Sequence, residues 1–390
     1  PTDGIPMNTF WLLAYITAAG WVVYTYAGYP WLLHRQLKKR RPDQTESSPN
    51  ASEQPDIAVV IVARNAAHLI GPKIRSCLQS HYPADRIRVL LAIDGDDEDT
   101  ARAAEALQDP RVTVLRHALH RGKAACLNDA IAQCSQEILI LTDARQRLDP
   151  DAIAHLVQSL QRDPALAAVS GELSFEVPEG DFVGQGLDAY WRYEKWLRRT
   201  EGQVASTIGM TGALYALRRA AFRPIPPETI LDDVLIPMQA VLDGYRASFD
   251  TRAIAYDLPS TSMQQEKRRK IRTLAGNFQL IQLCPALIDP RRNPAFLAFF
   301  SHKVCRLLTP VALLVMLLAS AVLAPVSLFF CASLVGALLI IGLSLLARWV
   351  PGTRRWLLVR LSNTFIEMHL FIVYGFLEFL RNRNLHRWGG

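Results

Sequence analysis

The six cysteines, Cys77, Cys126, Cys134, Cys284, Cys305 and Cys331, never pair as CxxC and never fall into Cys/His ligand spacing. That pattern excludes a structural zinc centre and points to a reducing compartment rather than a disulfide-stapled fold. No internal repeat is present. Charge is missing altogether from Phe10 to Leu33, a run longer than the roughly 20 residues a helix needs to cross a bilayer. No basic cluster precedes it. The cluster HRQLKKRR, His34 to Arg41, follows instead, which favours a retained anchor over a cleaved signal peptide.

Two further apolar runs, Leu307 to Leu323 and Leu328 to Leu346, are split only by the break at Ala324-Pro325-Val326 and read as a membrane hairpin. A fourth, Leu361 to Leu380, carries Glu367, His369 and Glu378, so it spans, re-enters or lies along the surface. Spanning would put the basic tail Arg381 to Arg387 outside, which favours the latter two. Lys and Arg number 43 against 36 Asp and Glu, and the excess crowds beside the apolar runs, at residues 35–41, 267–272, 291–292 and 354–355. Membrane lipids are therefore the expected partners of this charge. No nucleic-acid reading motif accompanies it. The expected organisation is a short tail (1–9), an anchor (10–33), a basic flank and linker (34–56), a cytoplasmic catalytic domain (57–290) and a C-terminal membrane region (291–390).

From Ile57 onward, short β-branched runs alternate with helical patterns. IAVVIVA precedes a helix near 66–79, VLLAID one near 100–107, VTVLR one near 123–134, and ILILTD one over 149–161. This alternation predicts an α/β fold with a mostly parallel sheet. Ligands of such sheets sit beyond the carboxyl ends of the strands, and those ends are polar: Arg64-Asn65, Asp94-Gly95-Asp96 and Asp143-Ala144-Arg145.

Each candidate has a plain alternative. Asp94 and the acids after it suit a solvated turn into a helix, or a contact to a nucleotide base or ribose. Gly122-Lys123 opening a helix with Asn128 suits phosphate contact. Asp143 either ends a strand or holds a divalent ion that bridges two phosphates. Of Asp232-Asp233, Asp232 occupies an N-cap position, which leaves Asp233 as a general base for an acceptor hydroxyl. The run Gln265 to Arg272 is either a basic interfacial helix or a diphosphate clamp.

In this order, from about Asp56 to Gln279, the segments resemble family 2 inverting glycosyltransferases of the GT-A nucleotide-sugar fold, in particular the membrane-embedded polysaccharide synthases. The resemblance implies that Asn65, Asp94, Lys123 and Asn128 meet the donor and that Asp143 binds Mg²⁺ or Mn²⁺. It implies further that Gly212 and Gln265 lie on the acceptor side, that Asp232-Asp233 is the catalytic pair with Asp233 the base, and that Arg268, Arg269 or Arg272 grips the diphosphate. Ala66 stands where the family has Glu, Arg145 where a second acid is common, and Arg269 or Thr273 where Trp closes the Gln-x-x-Arg-Trp signature. The implied activity is inverting transfer from a nucleoside diphosphate sugar, a UDP-sugar first, to a lipid-linked or glycan acceptor, by a multi-pass protein of the inner membrane. Rival readings are a processive synthase with a secretion channel and an impaired scaffold subunit of a synthase complex or homo-oligomer.

Overall fold

The run IAVVIVA forms strand β1, Ile57–Ala63, every residue of which is buried. In the computed structural model, which describes residues 7–39, 54–176, 185–258, 263–382 and 384–387, its side chains sort by the period-2 rule of a strand. Ala58, Val60 and Val62 enter one core, and Ile57, Val59, Ile61 and Ala63 the other. The sheet is thus covered on both faces. The expected linker falls mostly on residues 40–53 and lies outside the described residues.

Strands β2 (Ile87–Ile93), β3 (Val112–Arg116) and β4 (Ile138–Leu141) join β1 in parallel, with Ile57 opposite both Ile87 and Ile138. Helices α3 (Ala67–Leu78), α4 (Glu98–Glu105) and α5 (Lys123–Ala132) make the crossovers. Helix α6 (Ala152–Arg162) begins three residues later than expected, because Pro150 follows Asp149 and disfavours helical geometry there. Among the described residues the sheet has eight strands in the order β3-β2-β1-β4-β7-β6-β8-β5, completed by β5 (Arg147–Leu148), β6 (Leu166–Phe175), β7 (Tyr215–Arg218) and β8 (Arg246–Asp257). β7 runs antiparallel to both β4 and β6, so the far half of the sheet is mixed rather than parallel. Helices α7 (Gln185–Val204), α8 (Asp232–Leu242) and α9 (Met263–Leu283) surround the open end.

Among the described residues, four helical stretches are long and apolar enough to cross a membrane: Met7–Lys39, Phe296–Leu323, Leu328–Trp349 and Leu357–Arg381. The first comprises α1 (Met7–Val23), a π segment (Tyr24–Gly28) and α2 (Tyr29–Lys39). The second comprises α10 (Phe296–Phe299), a π segment (Phe300–Val304) and α11 (Cys305–Leu323). The third is α12 (Leu328–Trp349) and the fourth α13 (Leu357–Arg381).

A buried polar joint fastens the first two stretches to the domain. His302 Nδ1 meets Glu201 Oε1 at 2.8 Å, its Nε2 meets Glu194 Oε1 at 2.8 Å, and the Tyr29 hydroxyl donates to Glu201 Oε1 at 2.8 Å. Helix α13 lies against α9, where a Cβ at Gly375 would stand 2.6 Å from the Leu274 Cβ. Only glycine permits that approach.

Candidate active site

The first strand ends in Arg64 and Asn65. Asn65 takes a left-handed φ of 51°, a conformation asparagine tolerates, and its N–H donates to Asp97 Oδ2 at 2.6 Å. Arg64 Nη1 donates to the Asp94 carbonyl at 3.0 Å. Asp94 itself has no exposed surface. Its carboxylate accepts from the Arg121 and Gly122 N–H groups at 2.7 and 3.0 Å and pairs with His120 Nδ1 at 2.8 Å. Burial alone would raise its pKa, but the Arg121 N–H and His120 outweigh that and hold the carboxyl below its usual range. Asp94 therefore shapes the loop that opens α5. Gly95 and Gly122, both at φ +92°, flank this knot. Asn128 spends both amide atoms on the Ile225 main chain, at 2.7 and 3.1 Å, and so fastens that segment to α5.

Lys123, the first residue of α5, reaches the centre of the site. Its Nζ lies 2.9 Å from Asp143 Oδ1 and 2.9 Å from Asp232 Oδ2. Burial pulls its pKa down, but Asp143 and Asp232 overcome this and keep the ammonium charged well above the usual range. Asp232 was expected to cap α8. Leu231 occupies that position instead, without a side-chain cap bond, and the Asp232 carboxylate turns to Lys123 because a buried acid gains more from an ammonium than from a helix end.

Asp233, one residue on, makes no ion pair in this group. Burial, followed by the charge of Asp232, lifts its carboxyl to about 6, with Lys123 opposing. A narrow cavity at this point is lined by Lys123, Thr142, Gly212, Tyr215 and Asp232. Tyr215 brings a buried hydroxyl with no hydrogen-bond partner among the described residues, kept protonated by burial and by Asp232, Asp233 and Asp143.

Gly212 makes the close approach possible. Its carbonyl accepts from the Asp143 N–H at 3.1 Å, and a Cβ built there would lie 3.3 Å from Asp143 Oδ2 and 3.6 Å from Asp233 Oδ2. Two carboxylate oxygens thus converge where a side chain would otherwise stand. No group of three or more His, Cys, Asp or Glu is arranged to hold a metal among the described residues. The Asp143 carboxylate nevertheless suits a divalent ion that takes phosphate oxygens and waters in its remaining positions.

The three arginines expected at the diphosphate part ways. Arg269 pairs with Glu266 of its own helix at 2.6 Å, Arg268 is exposed, as is Gln265, and Arg272 alone faces Asp232, Asp143 and Asp233. Its Nε donates to the Leu385 carbonyl at 3.0 Å, which brings the chain after α13 into the cleft. Arg145 turns away and pairs with Asp257.

Sequence reasoning missed Lys73, which is buried and donates to Thr142 Oγ1 at 2.6 Å and to the Gln146 carbonyl at 2.8 Å beneath Asp143. Its lone position in helix α3 gave no signal. It also missed His120 and the group around Glu194.

Residues 58–224 match the model described as "Glycosyl transferase family 2". This stretch is a family 2 glycosyltransferase domain. The match ends before Asp232, so the placing of Asp232, Asp233 and Arg272 rests on geometry. The chain is 20% identical over 229 residues to the poly-β-1,6-N-acetyl-D-glucosamine synthase of Staphylococcus epidermidis, covering 58% of this chain and 55% of that protein. To the synthase of the same name from Staphylococcus aureus (strain COL) it is 19% identical over 270 residues, 68% of this chain and 65% of that one. The chain thus spans somewhat over half the length of these relatives. A mannosyltransferase from Pyrobaculum calidifontis, solved in complex with GDP-Man and Mn²⁺, shares the fold, with a TM-score of 0.70, 22% identity and coverage of 95% of this chain and 99% of that one. The domain has the GT-A fold, to which the mixed sheet belongs.

Proposed function

We propose that the protein transfers a sugar from a nucleoside diphosphate sugar, a UDP-sugar first, to a lipid-linked or glycan acceptor hydroxyl, with inversion and at the cytoplasmic face of the inner membrane. One observation carries this reading: Lys123, Asp143, Asp232, Asp233 and Arg272, drawn from four separate elements, converge beside Gly212.

Asp233 is the member not neutralised by a direct ion pair, and its raised pKa suits a general base near neutral pH. It takes the proton from the acceptor hydroxyl, whose oxygen bonds to the anomeric carbon as the diphosphate departs with the electron pair. Lys123 and Arg272 stand ready to balance the leaving charge. Asp143 would hold a Mg²⁺ or Mn²⁺ ion, which would supply positive charge to the two donor phosphates. Asp94 keeps the loop 120–122 in place beside the donor.

Several features support the membrane reading. Lys38 and Lys39 close the first apolar stretch, as expected of a cytoplasmic flank, and sugar nucleotides are cytoplasmic. The approach to α11 is fixed to α7 through His302, and only residues 324–327 separate α11 from α12. If α11 and α12 both cross, α12 ends on the side of the domain. Helix α13 starts there, and the residues after it reach Arg272 and Gly122. Both ends of α13 then share one side, so α13 lies along the interface rather than crossing.

A processive synthase is the second reading, supported by the names of the staphylococcal relatives. The departures from Gln-x-x-Arg-Trp at Arg269 and Thr273 support a short product instead. Release of nucleoside diphosphate across a panel of UDP- and GDP-sugars with Mn²⁺ or Mg²⁺, beside Asp233→Asn, tests the assignment. Turnover is expected with one donor and lost in the variant; silence across the panel with acceptor lipids supplied would refute it.

A further inference from the structure

Where the apolar helices meet the domain, positive charge exceeds what the local acids neutralise. Glu194 is the hub. Arg306 Nη1 lies 2.7 Å from its Oε2, while Arg198 Nε and His302 Nε2 lie 3.4 and 2.8 Å from its Oε1. Glu201, the other acid here, is taken by His302 and the Tyr29 hydroxyl.

Lys303 then adds a further cation with no acid of its own. It is half-buried and makes no hydrogen bond or ion pair among the described residues, although its ammonium sits among Arg198, Glu194, Asp233 and Arg306. A long cationic side chain in such a place is costly without an anion to answer it. The local backbone is unusual as well. Lys303 belongs to the π segment Phe300–Val304, and such bulges in α-helices are frequent at functional sites.

The position narrows the anion. Asp233 feels Arg198 and lies among the electrostatic neighbours of Lys303, so the cluster adjoins the proposed base. The same residues open the apolar stretch Phe296–Leu323. A soluble nucleotide is already served by the cations across the cleft. An anion that arrives along the apolar stretch Phe296–Leu323 meets this cluster at its start.

We propose that Lys303, with Arg198 and Arg306, forms a subsite for the phosphate group of a membrane-borne acceptor. This rests on the transferase reading above and narrows its acceptor from lipid-linked or glycan to a hydroxyl-bearing group carried on a lipid phosphate. An ammonium flanked by two guanidinium groups suits a phosphate.

The test is binding to the purified full chain in detergent, which does not depend on turnover. The probes are a short-chain isoprenyl phosphate, the matching uncharged isoprenol, and inorganic phosphate, each measured on wild type, Lys303→Met and Lys303→Arg. UDP or GDP binding reports that each variant keeps its fold. The expected result is isoprenyl phosphate affinity reduced at least about tenfold in Lys303→Met and largely restored in Lys303→Arg, with nucleotide affinity unchanged, since a charge-assisted hydrogen bond lost from a partly buried site has about that effect. Equal binding of the isoprenol, or unchanged binding by Lys303→Met, would overturn the proposal. Inorganic phosphate that binds as tightly as the lipid phosphate would overturn the membrane source. Lysine-dependent lipid-phosphate binding without any sugar transfer would support the subsite and instead sink the transferase reading.

Discussion

The two sides of the cleft treat their acids in opposite ways. On the donor side Asp94 is saturated by three loop donors and held below its usual pKa. On the acceptor side Asp233 is left without an ion pair and raised to about 6. The same side chain is saturated in one place and left without an ion pair in the other, and what differs is the number of donors the backbone supplies. A carboxylate that meets two N–H groups of a loop contributes to stability, whereas one that meets a second acid keeps its reactivity.

The largest test of that contrast is Asp233→Asn. Turnover should fall by about two to four orders of magnitude, the range for a general base, while thermal denaturation shifts upward at neutral pH. The second outcome follows from the raised pKa. A carboxyl that prefers its proton in the fold opposes folding once ionised, so the gain should fade as pH falls through about 6 toward the unfolded value. A melting temperature that drops in the variant would break the comparison.

His302→Ala comes next. It leaves Glu194 and Glu201 buried with Tyr29, Arg198 and Arg306 as their remaining partners, at a cost of ~3–5 kcal/mol by analogy with broken buried pairs. Detergent-solubilised protein should lose its sharp thermal transition, and a transition like that of wild type would show the joint to be dispensable.

Asp94→Ala should act through the donor alone. With the 120–122 loop released, KM for the sugar nucleotide should rise by about tenfold to a hundredfold, the worth of hydrogen bonds to a charged group, and kcat should change far less. A fall in kcat at constant KM would move Asp94 to the chemical step.

The pH profile sharpens the contrast further. The free enzyme should lose kcat/KM below about pH 6, one decade per unit, as Asp233 takes up its proton; a flat profile down to pH 4.5 would exclude it as the base.

The smallest effect belongs to Arg268→Ala. As an exposed residue it should alter turnover and stability by less than ~0.5 kcal/mol, whereas Arg272→Ala should raise the donor KM. Equal effects of the two would show that the clamp is not confined to the inward-facing position.

Much of the donor side was legible because β strands announce themselves. Three apolar runs, each ending at a polar residue, place Asn65, Asp94 and Asp143 at one rim of the sheet. The acceptor side was not. β7 and β6 read like further apolar runs, and nothing local says that β7 turns antiparallel, since pairing direction is settled by the connections. The register of the basic run was equally silent: Arg268, Arg269 and Arg272 share one sequence, and only the packing of α9 against Ile230 and Leu231 at Gly276 decides which points inward. Lys73, Glu194 and His302 were invisible for a related reason. Each finds its partners at separations of about 69 to 108 residues, and short-range spacing rules do not reach so far.

The joint of Tyr29, Glu201, His302 and Glu194 has a mechanical meaning. It is buried and made of short contacts, so it limits the freedom of a hinge between the apolar helices and the domain. In a bilayer the cleft would then sit at one fixed height, and the enzyme would act as a ruler, presenting its base only to groups carried at that distance from the hydrocarbon edge.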